Sequence, residues 1–334
     1  MIPHNKPCIG VREADTAARV IASGMLWGGN EVTSFENEVC DFLGLPGGHA
    51  VAMASGSAAL FVALKILGLA GKSVAFPSYV CSSLRHACDV SQSEPLYLDV
   101  LSDQPVPDYG SELDVAAIIH PYLYGFASSL PAQAEQIPVI EDLAQALGAS
   151  ADGYMLGTKG QLGILSFYAT KMMTSAGQGG MLVSHDRAVA DAARDFIDYD
   201  NRQDNRSHFN LGLSEVQAAV GRVQLQQLPY FIQRRDEIWR AYADVGLPLI
   251  DVPGAQYRHV RYRAVCLVEN VDNVIRELGV YGVRAINPFE QGELLGTTPN
   301  ALKLTQHTVS LPLYPALTDA QVRQVCEAAQ EVIL

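Results

Sequence analysis

Apolar residues recur at helical spacing over residues 13–23, where Ala17, Val20 and Ile21 share one side and Gly24 stops the run. A second helix is predicted over 31–43, with Val32, Phe35, Val39 and Phe42 on its apolar face. The pattern then changes. Residues 49–54 read as a short buried strand, and a helix starts at the small-residue turn Ser55-Gly56-Ser57. From 74 to 184 short apolar runs alternate with helical or polar stretches, which predicts strands at 74–77, 96–99, 116–121, 137–141, 163–168 and 180–184. Strands alternating with helices imply a mostly parallel sheet covered on both faces, with ligands beyond the carboxyl ends of its strands. Residues 200–208 form a polar loop, and a long helix opens at Ser214-Glu215. A further helical run passes through Arg240, then strands near 260–268 and 282–286 and helices near 271–280 and 318–333 give an α+β pattern.

The chain divides on this reading into a large α/β unit, residues 1–230, and a smaller C-terminal α+β unit, residues 231–334. A hydrophobic content of 49% fits a folded chain. With 23 basic against 36 acidic residues the net charge is −13, and no Lys/Arg run offers a nucleic-acid footprint. An anionic substrate therefore needs a local arginine cluster, for which Arg202, Arg206, Arg261 and Arg263 are candidates. The six cysteines (8, 40, 81, 88, 266 and 326) show no CxxC and no metal-like spacing with histidine. The N-terminal residues lack a signal pattern and no stretch reads as a membrane span, so reduced thiols and a cytoplasmic location are expected.

Three short words carry chemistry. Ser166-Phe-Tyr-Ala-Thr-Lys171 ends a strand in a lysine, and partial desolvation there favours the neutral, nucleophilic amine. Pro138-Val-Ile-Glu-Asp142 ends a strand in a carboxylate, with Gln145 one turn on. The 55–57 turn offers free N–H groups and a helix N-terminus to a phosphate. Each word alone reads equally as a surface lysine or as a helix cap. Together, and in this order, they supply the parts of a pyridoxal phosphate site.

At these residues the chain resembles the DegT/DnrJ/EryC1/StrS family of sugar aminotransferases. Asn210-Leu-Gly-Leu-Ser-Glu-Val-Gln and Ser310-Leu-Pro-Leu-Tyr-Pro extend the match, collinear from about residue 2 to 330. The resemblance implies fold type I, pyridoxal 5′-phosphate as cofactor, and a homodimer with shared active sites. It implies Lys171 as the lysine that holds the cofactor covalently, and Asp142 as partner of the pyridinium nitrogen. Gln145 would lie near the ring hydroxyl, Gly56, Ser57 and Ser166 at the phosphate, and Asn210 at the phosphate of the partner subunit. Family members place an aromatic where Cys81 stands, which leaves either Tyr79 to stack on the ring or the ring to rest on a smaller surface. They often carry Arg at Gly212 and Glu at Gln178, and a His-Tyr-Pro word at Ala285-Ile-Asn-Pro288. The implied reaction moves an amino group, typically from L-glutamate, to a keto group of a nucleotide-linked deoxysugar. A dehydratase of the same fold carries His in place of the lysine, and Lys171 argues against it. A nicotinamide oxidoreductase needs G-x-G-x-x-G before a helix, whereas Gly177-Gln-Gly-Gly-Met precedes a strand. A non-catalytic sensor of the same fold stays open, because fold does not fix function.

Overall fold

A computed structural model describes all of residues 1–334. The helices are α1 (Val11–Ser23), α2 (Asn30–Leu43), α3 (Gly56–Ile66), α4 (Ser83–Ser91), α5 (Arg187–Ile197), α6 (Glu215–Asp244), α7 (Val271–Val280), α8 (Pro299–His307) and α9 (Asp319–Ile333). The first strands are β1 (Ala50–Met53), β2 (Ser73–Pro77), β3 (Glu94–Leu98), β4 (Ala117–Pro121) and β5 (Val139–Asp142). They are followed by β6 (Ser150–Ala151), β7 (Tyr154–Met155), β8 (Leu162–Ser166), β9 (Gly180–Val183), β10 (Tyr257–Arg258), β11 (Ala264–Leu267) and β12 (Thr308–Leu311).

Seven strands form the main sheet in the order β1-β9-β8-β5-β4-β2-β3. All run parallel except β9, which lies antiparallel between β1 and β8. Alternation along the strands splits the core: Val51, Met53, Ile164 and Leu182 pack on one face, and Ala50, Ala52, Leu165 and Met181 on the other. The carboxyl ends of β1, β5 and β8 consequently open at one edge, as the alternating pattern predicts.

The sheet is covered on both faces as expected, by α3, α4 and α5 on one and by α2 and α6 over β1, β9 and β8 on the other, but no helix covers that second face at β2 and β4. No α-helix links β3 to β4 or β4 to β5; the second connection holds only 3₁₀ turns, Leu123–Gly125 and Ala132–Glu135. Pro105, Pro107 and Gly110 break one connection, and Pro131 and Pro138 bracket the other, so neither sustains a helix. Tyr109, Leu113, Leu130 and Ile137 cover Ala75, Ile118 and Val139 there instead.

The long helix α6 joins the two parts of the molecule. Ser214 and Gln217 form its capping box, and the buried Glu215 carboxylate accepts the Gly29 and Glu31 N–H groups at 3.0 and 2.7 Å, capping α2 in turn. The expected break at 230/231 falls inside this continuous helix. Its C-terminal half supplies Ile238 and Tyr242 to a separate core with α7, α9 and the β11–β12 pair. The strand expected at 282–286 is reduced to single bridges, Ile2 with Val283 and Ile286 with Ser310. The chain's first residues therefore lie in the second unit's core, with Ile2 buried there.

Candidate active site

The catalytic candidates meet in a cleft of about 840 Å³ at the carboxyl ends of β1, β5 and β8. Its wall includes Gly56, Ser57, Asp142, Gln145, Ser166 and Lys171.

The phosphate end is built by close approach. Ser55 caps α3 by accepting the Ala58 N–H at 3.0 Å, which leaves the first-turn N–H groups of Gly56 and Ser57 without helical acceptors. A Cβ on Gly56 would lie 2.9 Å from the Ser166 Cβ and 3.3 Å from the Leu165 carbonyl oxygen. A Cβ on Gly180 would lie 2.3 Å from the Gly56 nitrogen. Two glycines thus let β8, β9 and the turn converge. Gly56→Val is expected to displace Ser166 and raise the dissociation constant for pyridoxal phosphate about tenfold or more, read by fluorescence titration of apo-protein.

Lys171 sits half-buried on a loop fastened at both ends. The Phe167 N–H donates to the Gly179 carbonyl at 2.8 Å, and Ala169 to Gly177 at 3.0 Å, with Ala176 and Gly177 at positive φ closing the turn. Asn5 reaches in from the N-terminal segment and donates to the Thr170 carbonyl at 3.2 Å. The lysine Nζ lies 5.7 Å from the centre of the Tyr262 ring. Burial pushes the Tyr262 phenol up, but Lys171, Arg263 and Arg235 outweigh it and hold it below its ordinary value.

Asp142 is buried at the end of β5. Burial pushes its carboxyl above the ordinary aspartate value, and the Ala144 N–H (2.9 Å) and Lys171 pull the other way. Gln145 accepts the Tyr124 N–H at 2.7 Å, which fixes its amide at the cleft wall. Glu141 faces away and accepts four donors, from Tyr122 and the backbone of Gly157, Lys159 and Gly160, at 2.6–2.9 Å. It anchors the strand behind Asp142.

Two expected residues lie elsewhere. Tyr79 is fully buried beneath the cleft, its hydroxyl bonded to that of Tyr124 and its ring 4.7 Å from Phe289, so it does not reach a cofactor ring. The alternation after β2 turns Tyr79 into the core and leaves Val80 and the exposed Cys81 on the cleft wall. Asn210 is exposed and outside its own chain's cleft. Of the four candidate arginines, only Arg263 lines the cleft. Arg202 and Arg206 are held by Asp195 and Asp204, and Arg261 by Asp251 with Trp239 stacked at 3.7 Å. Tyr262 and Asn5 were not singled out by sequence; alternation about Arg261 and Arg263 was the only signal for Tyr262. At Gly212 the Trp27 ring fills the space a side chain needs, 2.5 Å from a Cβ position.

The donor set fits pyridoxal phosphate: an amine, a buried carboxylate, an amide, and a turn of small residues shaped for an anion. The sequence profile of the DegT/DnrJ/EryC1/StrS aminotransferase family matches residues 7–330. The chain is 29% identical, over 380 aligned positions, to a dTDP-4-dehydro-2,3,6-trideoxy-D-glucose 4-aminotransferase of Saccharopolyspora spinosa, covering 100% of this chain and 97% of the relative. It is 28% identical to a UDP-N-acetyl-3-dehydro-alpha-D-glucosamine 3-aminotransferase of Acidithiobacillus ferrooxidans, with 91% and 89% covered. Among solved structures it resembles an aminotransferase, TlmJ, from Streptoalloteichus hindustanus, with TM-score 0.92, 26% identity and 99% and 98% covered.

Proposed function

Because the chain belongs to the DegT/DnrJ/EryC1/StrS aminotransferase family and is a pyridoxal phosphate-dependent aminotransferase, we propose that it transfers the amino group of L-glutamate to a keto group of a nucleotide-linked deoxysugar. The observation that supports this reading most is the meeting of Lys171, Asp142 and the 55–57 turn in one cleft, at the ends of three different strands. Bound there, pyridoxal phosphate supplies the electron sink that makes amino-group transfer possible. Gly56, Ser57 and Ser166 would take its phosphate, and Asp142 would hold a proton on its ring nitrogen. Gln145 would orient the ring hydroxyl. Lys171 would hold the cofactor covalently at rest. Once displaced, its amine would take the proton from the donor's α-carbon and return it at the other end of the transferred nitrogen. Tyr262, held beside that amine, would keep it aimed.

The same reading assigns cofactor binding to residues 1–230 and a smaller substrate-facing unit to 231–334, joined within α6. A homodimer is part of the proposal: Asn210, exposed and away from its own cleft, would serve the phosphate of a second copy. Six unpaired cysteines suit a cytoplasmic enzyme, here one of polysaccharide or sugar-conjugate biosynthesis. Relatives with dTDP- and UDP-linked substrates leave both nucleotides as acceptors to assay.

The test is a two-part single turnover. L-Glutamate should convert the cofactor-loaded protein to its amine form, seen as loss of visible absorbance. A dTDP- or UDP-linked keto-deoxysugar should then restore the absorbance and appear as an amino sugar by mass spectrometry. Conversion by glutamate with no return on any such sugar would sink the acceptor assignment.

A further inference from the structure

We propose that Asn5 is a positioning residue for Lys171: its side-chain amide fixes the peptide group from which the lysine projects, and the second unit holds Asn5 in place. This deepens the reading above and rests on Lys171 as the residue that attaches the cofactor.

One planar peptide group joins Thr170 to Lys171, so its carbonyl and its N–H turn together. The Lys171 N–H donates to the Tyr168 carbonyl at 2.9 Å, a bond within the loop itself. The Thr170 carbonyl accepts the Asn5 Nδ2–H at 3.2 Å, and no other protein donor reaches it. Asn5 is therefore the group that ties this plane to the rest of the molecule. Tilting the plane redirects the whole lysine side chain, and a misplacement of about 1 Å at a reacting group can cost about 100-fold in rate.

The residues around Asn5 are fastened independently. The Ile2 N–H donates to the Gly282 carbonyl at 2.7 Å, and the Ile2 carbonyl accepts the Arg284 N–H at 3.0 Å. His4 Nε2 lies 2.9 Å from Ser310 Oγ on β12. On the other side Gln224 of α6, itself buried, donates to the Cys8 carbonyl at 2.8 Å and accepts the Thr174 N–H at 3.3 Å. One side chain thus holds both the N-terminal segment and the far end of the lysine loop. The gap left between segment and loop, beside Cys8, Met172 and Met173, is about 10 Å³, room for no more than one water. Since Ile2, His4 and Cys8 already anchor the segment, the Asn5 bond is redundant for the N-terminus. For the Thr170 carbonyl it has no substitute.

The test compares wild type with Asn5→Ala, Asn5→Asp and Asn5→Gln. An ionised aspartate keeps the shape of Asn5 but cannot donate, and glutamine keeps the donor on a longer arm. Apo-protein is mixed with pyridoxal phosphate, and attachment to Lys171 is timed by visible absorbance and by borohydride trapping. Pyridoxamine phosphate, which has no aldehyde, reports non-covalent affinity by fluorescence titration, and a melting curve reports the fold. Asn5→Ala is expected to slow attachment about tenfold, Asn5→Asp at least as much, and Asn5→Gln less. Pyridoxamine phosphate affinity should stay within about twofold of wild type, and turnover with L-glutamate should fall through kcat rather than KM. Unchanged attachment rates in Asn5→Ala and Asn5→Asp overturn the proposal. So does a slowing matched by an equal loss of pyridoxamine phosphate affinity, which would mean a loosened cleft rather than a misplaced lysine. If wild type attaches the cofactor at Lys171 but ignores L-glutamate, the proposed donor fails while the attachment rates still decide the role of Asn5.

Discussion

Lys171→Ala is expected to lower amino-group transfer by about three orders of magnitude or more, since one side chain both anchors the cofactor and moves the proton. Pyridoxal phosphate should still bind the variant, because Gly56, Ser57, Ser166 and Asp142 are unchanged, but without covalent attachment. Fold stability should change little. Lys171 is half-buried and forms no ion pair, and its loop is held through the backbone of Phe167, Ala169 and Gly177. Steady-state turnover beside a melting curve checks both halves. A variant that keeps a tenth of the activity would show that another amine carries the proton.

The second large effect is expected at Asp142. Asp142→Asn removes the negative charge that keeps a ring nitrogen protonated, and turnover should fall about 100-fold or more. Stability should move the other way. Burial raises the folded-state carboxyl above its unfolded value, so between the two values the folded protein binds more protons than the unfolded chain. Stability then declines as pH rises through that window, and above it the ionised group carries a constant cost. Near neutral pH the variant escapes that cost while its side-chain oxygen still accepts the Ala144 N–H. Apo Asp142→Asn is thus expected to melt at the same temperature as apo wild type or higher. A lower melting temperature would mean that the carboxylate is a structural group of the empty site.

The legible part of the site was carried by words in which each residue serves local geometry and chemistry at once. Ser55-Gly56-Ser57 announces a helix cap and offers an anion seat in the same turn; the structure forms the cap and packs Gly56 closely against Ser166. Asp142 at the end of β5 was legible because parallel strands bring their carboxyl ends to one edge, and Lys171 with it. β8 nevertheless ends at Ser166, and the lysine lies on the loop beyond rather than at the strand end expected. Tyr79 was not: which side of the chain faces the cleft just beyond β2 depends on the register of Pro77 against Leu98 and on the Tyr124 partner. The bare crossovers on the far face were signalled by Pro105, Pro107, Pro131 and Pro138, which outweigh the helical expectation. The arginines could not be sorted by sequence. Their separation depends on carboxylates as distant as Asp251 from Arg261, and on the absence of one near Arg263. Likewise the N-terminal residues join the second unit through Ile2 and Val283, a pairing with no local signature.

The most direct measurement is borohydride reduction of the protein loaded with pyridoxal phosphate, followed by peptide mass spectrometry. The account predicts a single phosphopyridoxyl group, on the Nζ of Lys171. A label on any other lysine, or none in protein that binds the cofactor, would contradict it.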